Sequence, residues 1–138
     1  MPTLTFAEQI KYPHDDFGIT LEIVLIAEVN NPVSATVKLD TGSTFCVFEK
    51  FYADLLGLKI ENGEAKSFRT ATGSFKAFGH EITLKFSEIE FSTTVYFAEN
   101  ENFPVSVLGR IGFLDRLQIG LIDYEQLLFI DSLENYYQ

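Results

Sequence analysis

The sequence predicts a mainly β fold, a closed or partly closed antiparallel β-barrel carrying one or two short helices. Three observations lead there. Apolar residues recur with period two along most of the chain, which is the repeat of strands buried on one face. Turn signals punctuate these runs at Asn30-Asn31-Pro32, Asn62-Gly63 and Thr72-Gly73-Ser74, as expected between antiparallel strands. The composition, 46% hydrophobic and 14% aromatic, supplies a core rather than a disordered chain. At 138 residues the length fits a single domain over 1–138, since two independent cores would need more chain.

In order along the chain, Ile19, Leu21, Ile23 and Leu25 alternate with Thr20, Glu22 and Val24. After the Asn30-Asn31-Pro32 turn the alternation resumes at Val33, Ala35, Val37 and Leu39, which makes a hairpin aimed at Asp40. Glu49 to Leu56 reads as a short helix closed by Gly57, since glycine favours the left-handed conformation that ends helices. A second hairpin spans Lys66 to Phe86 with Thr72, Gly73 and Ser74 at its tip. Ile82, Leu84 and Phe86, then Ile89, Phe91, Val95 and Phe97, predict two further half-buried strands. Gly112 to Leu117 predicts a helical turn or two. Gly120 to Asp123, a turn at Tyr124-Glu125-Gln126, and Leu127 to Ile130 close the chain with strand, turn and strand.

Charge and cysteine content narrow the function classes. A formal net charge of -10 repels phosphate backbones and anionic lipid, which argues against nucleic-acid and membrane partners. The one cysteine, Cys46, lies in the apolar run Phe45-Cys46-Val47-Phe48, the setting of a small buried hydrophobe. The most apolar segment, Ile19 to Ala27, is too short and too polar to span a bilayer. The expected location is the cytoplasm.

The chemistry centres on V-K-L-D-T-G-S-T, Val37 to Thr44. It places Asp40 at the end of an apolar strand and directly before a Thr-Gly turn, where the carboxylate leaves the sheet and the backbone is free to bend. Asp-Thr-Gly alone also describes an ordinary polar turn after a strand. Downstream, Val107-Leu108-Gly109-Arg110 adds two apolar residues, Gly and Arg, followed by the helical candidate at Gly112. With both signatures in order and a hairpin between them, the chain resembles the retropepsin-like, single-lobed aspartic proteases from about Gly18 to Asp131. Residues 1–17 form an N-terminal extension without a counterpart in the viral pattern.

The resemblance implies an acid-protease type of fold and an aspartic endopeptidase. Asp40 matches the catalytic carboxylate, and Thr41 the residue whose hydroxyl braces the two active-site loops across a dimer. Gly42 matches the turn glycine, and Ser43 the position whose hydroxyl bonds an Asp oxygen. Thr72, Gly73 and Ser74 stand at the tip of the flap. Leu108, Gly109 and Arg110 match the structural element beneath the catalytic loop. Two departures stand out: Thr44 and Ile111 occupy positions where viral members often carry acidic or amide side chains. None of Asp15, Asp16, Asp54, Asp115, Asp123 or Asp131 precedes Thr-Gly or Ser-Gly, so the second carboxylate the mechanism needs must come from a second copy, in a homodimer acting on a peptide or protein substrate. No cofactor and no metal are implied.

Other readings have less behind them. His14-Asp15-Asp16 would have to converge from adjacent loop positions to bind a metal, without a further His or Cys cluster. Neither Ser43 nor Cys46 has a His-plus-acid spacing that would make it a nucleophile, and His80 after Gly79 reads as a surface or rim residue. The alternative from another class is a catalytically weak or inactive protease-fold module for peptide binding or dimerisation, since fold does not fix activity. A small-ligand β-barrel with an accidental Asp-Thr-Gly is disfavoured by Leu108-Gly109.

Overall fold

The computed structural model describes residues 1–28 and 31–137; of the turn expected at Asn30-Asn31-Pro32, Asn30 lies outside the described residues. The first predicted hairpin is present. Strand β2 (Ile19–Ile26) pairs antiparallel with β3 (Val33–Leu39), with Ile19 opposite Leu39 and Leu25 opposite Val33, so the hairpin's open end carries Asp40. Leu21, Ile23, Leu25, Ala35, Val37 and Leu39 are buried, the inward set that a period of two requires. A slip of one residue would turn this set to solvent, which is what pins the register.

Around this hairpin stand β1 (Glu8–Lys11), β4 (Val47–Phe48), α1 (Lys50–Leu55), β5 (Glu64–Thr70) and β6 (Gly73–Phe86). They are followed by β7 (Ile89–Ala98), β8 (Val107–Leu108), β9 (Leu117–Ile122), β10 (Leu127–Ser132) and α2 (Leu133–Tyr136). Helix α1 buries Ala53 and stops at Gly57, whose φ of +74° is the left-handed conformation that glycine adopts without strain. The helical turns expected at Gly112 to Leu117 reduce to one 3₁₀ turn over Leu114–Arg116.

Among the described residues the fold is mainly β, in two sheets. The larger runs β2-β3-β8-β4-β7-β6-β5, and β2 also pairs with β6, Leu25 opposite Leu84, so the sheet returns on itself in a ring-like form. Strand β5 hangs from β6 outside the ring. The smaller sheet runs β1-β10-β9. The N-terminal extension is therefore part of the fold: Glu8 to Lys11 pair with Ile130 to Leu127 of β10. Tyr12 N–H donates to Gln126 O at 3.1 Å, and the buried Tyr12 hydroxyl donates to Asp123 Oδ1 at 2.5 Å. Burial, then the hydrogen bond and negative charge of Asp123, push the Tyr12 phenol up to about 12.

One cluster of buried side chains joins both sheets, from Leu21, Ile23 and Val37 through Phe48, Phe97 and Phe113 to Leu128 and Ile130. No helix among the described residues is long and apolar enough to cross a membrane.

Candidate active site

Asp40 leaves β3 half-buried, at the point where β3 lies parallel to β8 with Leu39 opposite Leu108. Its backbone N–H donates to Leu108 O at 3.0 Å, so the second signature fixes the first residue of the Asp40 loop directly. The loop then turns tightly. Ser43 N–H donates to Asp40 O at 3.1 Å, and Gly42 N–H donates to Asp40 Oδ1 at 3.0 Å. One carboxylate oxygen is thus oriented by the backbone.

Gly109 holds the two signatures together. A Cβ added there would lie 2.3 Å from Phe45 O and 2.7 Å from Ser43 O, distances no side chain tolerates. Beyond it the strands lock: Arg110 N–H donates to Ser43 O at 2.9 Å and Ile111 N–H to Thr44 O at 2.7 Å, while Phe45 and Ile111 form a parallel β-bridge. At these two positions, where the resemblance to viral enzymes implies side-chain contacts, Thr44 and Ile111 are joined by backbone.

Cys46 sits beneath the crossing, fully buried. Gly109 N–H donates to its sulfur at 3.4 Å, and its S–H points to Ile111 O at 3.7 Å. Burial pushes the thiol up to about 11, so the group stays neutral and is no nucleophile at ordinary pH. Thr93, also buried, donates its hydroxyl to Gly112 O at 2.8 Å and secures the far end of the same segment.

Several sequence-based placements shift. The Ser43 hydroxyl donates to Phe45 O at 2.7 Å, within its own loop, rather than to Asp40; its single proton is committed there. Thr41 is exposed, and its side chain makes no hydrogen bond among the described residues. The hairpin of β5 and β6 turns at Ala71-Thr72, because Thr70 already pairs with Gly73; Gly73 and Ser74 belong to the strand, and only Thr72 stays in the turn. Gly73 has φ +150°, a conformation costly for other residues, and nothing lies within 4 Å of where its Cβ would be. His80 is no rim residue: it is half-buried, with Nε2 2.9 Å from Ile60 O and its ring edge-on to Phe97, so it clamps β6 to the 3₁₀ turn over Ile60–Asn62. Asp15 uses its carboxylate locally, accepting from Phe17 N–H at 2.7 Å. Among the described residues no group of three or more His, Cys, Asp or Glu side chains could hold a metal ion.

An aromatic cluster ties the β5–β6 hairpin to the Asp40 loop. Phe68 and Phe75 face each other across the hairpin, stacked at 5.2 Å, and Phe68 meets Phe45 edge-on at 5.7 Å and Tyr96 at 5.3 Å. The Lys66 ammonium stands 3.9 Å over the Phe45 ring, within reach of cation–π attraction. The signal for this cluster was present in the sequence, since Lys66 and Phe68 share a face of β5 and Phe45 follows the Asp-Thr-Gly loop. What the sequence withheld was that the two segments meet.

No protein-family model matches the sequence, and no curated protein does. Solved structures do. A retropepsin-like aspartic protease from Rickettsia conorii is similar over 89% of this chain and 98% of its own, at 21% identity and a TM-score of 0.68. The EIAV protease complexed with the inhibitor HBY-793 is similar over 66% of this chain and 80% of its own, at 22% identity and a TM-score of 0.52. With Asp40 seated on Leu108 and Gly109 packed under its loop, and with these structural neighbours, the chain has the fold of the retropepsin-like aspartic proteases.

Proposed function

We propose that this chain is an aspartic endopeptidase that works as a homodimer, each copy supplying one Asp40. The observation that carries the reading is the fixed carboxylate: Asp40 is held by Leu108 O through its N–H, and by Gly42 N–H through Oδ1, at the open end of the hairpin. A two-fold axis beside this point would bring the two Asp40 carboxylates face to face without any further sequence. The ring-like sheet then serves as the closed barrel of an acid protease.

Two adjacent carboxylates share one proton, because both cannot carry charge at close range; like-charge dyads in aspartic proteases are the standard illustration of this effect. The ionised member takes a proton from a bound water, whose oxygen attacks the peptide carbonyl carbon. The protonated member gives its hydrogen bond, then its proton, to the carbonyl oxygen. Collapse of the tetrahedral species returns the electrons to the carbonyl and expels the amine, which leaves with a proton. In this reading Thr41 braces the loops across the dimer, the β5–β6 hairpin is the flap, and the substrate is a peptide or protein. Cytoplasmic residence is supported by the single, buried Cys46.

A second reading, a peptide-binding or dimerisation module of low activity, is favoured by the Ser43 hydroxyl, which turns to Phe45 O and away from Asp40. Incubating the protein and its Asp40→Asn variant with a diverse peptide mixture, with products read by mass spectrometry, separates the two. Cleavage by the wild type alone supports the enzyme; no cleavage by either, with peptide still bound, supports the module.

A further inference from the structure

The half-buried Lys38 stands two residues before Asp40, with the buried Leu39 between them, so the alternation of β3 turns Lys38 and Asp40 to the same face, away from the core. Its backbone is fixed from both sides: Thr20 of β2 is its partner in the hairpin, and its N–H donates to Ser106 O at 2.8 Å. The side chain is placed as well. A Cβ on Gly18 would lie 2.7 Å from Lys38 Cε and 3.4 Å from its Nζ, so the stem runs across the surface that this glycine leaves open. Gly18 lies one residue beyond the Ile19–Leu39 pair, at the open end of the hairpin and level with Asp40. The ammonium is thereby carried toward the Asp40 end of the strand.

The same lysine lines a hollow of about 430 Å³, whose walls include Phe17, Pro104 and Val105. Phe17 is 81% exposed and Val105 40%, an apolar lip that the chain itself leaves uncovered. Two carboxylates also line the hollow, Asp15 and Glu49, and both are engaged locally. Asp15 accepts Phe17 N–H at 2.7 Å and the Thr20 hydroxyl at 3.4 Å, while Glu49 Oε1 accepts the buried Ser106 hydroxyl at 3.2 Å. Among the described residues the one ion pair is Lys50 with Glu101, so neither carboxylate stands within ion-pair distance of Lys38.

We infer that Lys38 determines specificity: the hollow takes an acidic side chain of the substrate peptide near the scissile bond, with its carboxylate on the Lys38 ammonium and its methylenes against Phe17 and Val105. The inference rests on the endopeptidase proposed above. The ammonium offers the carboxylate a charge-assisted hydrogen bond, and the apolar lip draws methylene groups out of water. Glutamate fits better than aspartate, because its longer stem covers more of that lip. In a chain of formal net charge -10 the general field repels acidic peptides, so a preference for them has to be local to this lysine. The carboxylates of Asp15 and Glu49 make a basic side chain the competing occupant.

Peptide selection by the full chain tests it. A randomised peptide library cleaved by the wild type, with products read by mass spectrometry, should be enriched in Glu at a position within a few residues of the cleaved bond. Synthetic peptides carrying Glu, Gln or Lys at that position then give ratios of kcat/KM within one protein, which cancel any general loss of activity or of folded fraction. The wild type should favour Glu over Gln about tenfold, the preference a charged hydrogen bond supports. Lys38→Met, which keeps a stem over Gly18, should erase that preference, and Lys38→Glu should reverse it in favour of Lys. In the wild type alone the preference for Glu should shrink as salt rises, because screening weakens the attraction between charges; this arm holds even if a variant fails to fold. A wild type that cleaves with no preference for Glu or with a preference for Lys, a preference that survives Lys38→Met, or one unmoved by salt would overturn the role of Lys38 and leave the endopeptidase standing. A wild type that cleaves no peptide would remove both.

Discussion

Gly109 and Phe45 touch backbone to backbone: a Cβ on Gly109 would lie 2.3 Å from the Phe45 carbonyl oxygen. Everything on the Asp40 loop depends on that approach, because the hydrogen bonds of Asp40, Arg110 and Ile111 all cross the same contact. Gly109→Ala forces the loops apart, at an overpacking cost of about 1–3 kcal/mol. Thermal unfolding should show a lowered midpoint, and peptide cleavage should fall further than the remaining folded fraction explains. A variant as stable and as active as wild type would mean that the contact does not position Asp40.

The hairpin of β5 and β6 offers a test that separates activity from stability. Gly73→Val places a β-branched residue at φ +150°, a strain of about 1–3 kcal/mol. Since the position is exposed and open, the strain should distort the hairpin tip rather than the core. Cleavage should drop more than the melting temperature does; equal losses, or full activity, would count against a flap there.

Lys66 and Phe68 fasten the same hairpin to Phe45 and Tyr96. Lys66→Met keeps most of the aliphatic stem and removes the cation, losing a cation–π attraction of about 0.5–2 kcal/mol. Amide hydrogen exchange should quicken in β5 and the first half of β6 and stay unchanged in β2 and β3. Uniform quickening would show a general loss of stability, and no change would show that the aromatic contacts suffice alone.

Tyr12 gives the extension a pH signature. Its phenol is raised to about 12 in the folded chain, against about 10 for a free tyrosine. The folded state therefore holds a proton that the unfolded state releases between those values, and the contribution present below pH ~10 is lost as pH rises through that window. Tyr12→Phe removes the hydrogen bond to Asp123 and should be less stable near neutrality. The gap between the two proteins in denaturant midpoint should close as pH climbs past ~10. A gap that stays constant would place no burden on the Tyr12–Asp123 pair.

Local pattern made much of this molecule legible in its sequence. The alternation of Leu21, Ile23 and Leu25 with Ala35, Val37 and Leu39 set the hairpin that ends at Asp40, and Gly57 set the end of α1. Val107-Leu108-Gly109 was readable through its order after Asp-Thr-Gly and the Arg110 that follows, since apolar-apolar-Gly also occurs at Leu55-Leu56-Gly57 and Ala77-Phe78-Gly79. The pairing of β1 with β10 was not readable: Glu8 to Lys11 carries one apolar residue, Ile10, and its partner lies at the other end of the chain. The hairpin tip was displaced for a different reason. Gly73 is needed for its positive φ where β6 begins, not inside the turn, and glycine alone does not distinguish the two. The Ser43 hydroxyl and the His80 ring each chose a backbone carbonyl, Phe45 O and Ile60 O, that only tertiary packing brings within reach.

The central claim is that two copies of Asp40 form one catalytic site. The most direct measurement adds Asp40→Asn protein to wild type, at a concentration where wild type sediments as a dimer, and follows peptide cleavage after subunit exchange. In an equal mixture each wild-type chain has an even chance of an inactive partner, so activity per wild-type chain should fall by about half and continue to fall with excess variant. Cleavage that stays constant as the variant is added, or that tracks wild-type monomer, would contradict a site shared between two chains.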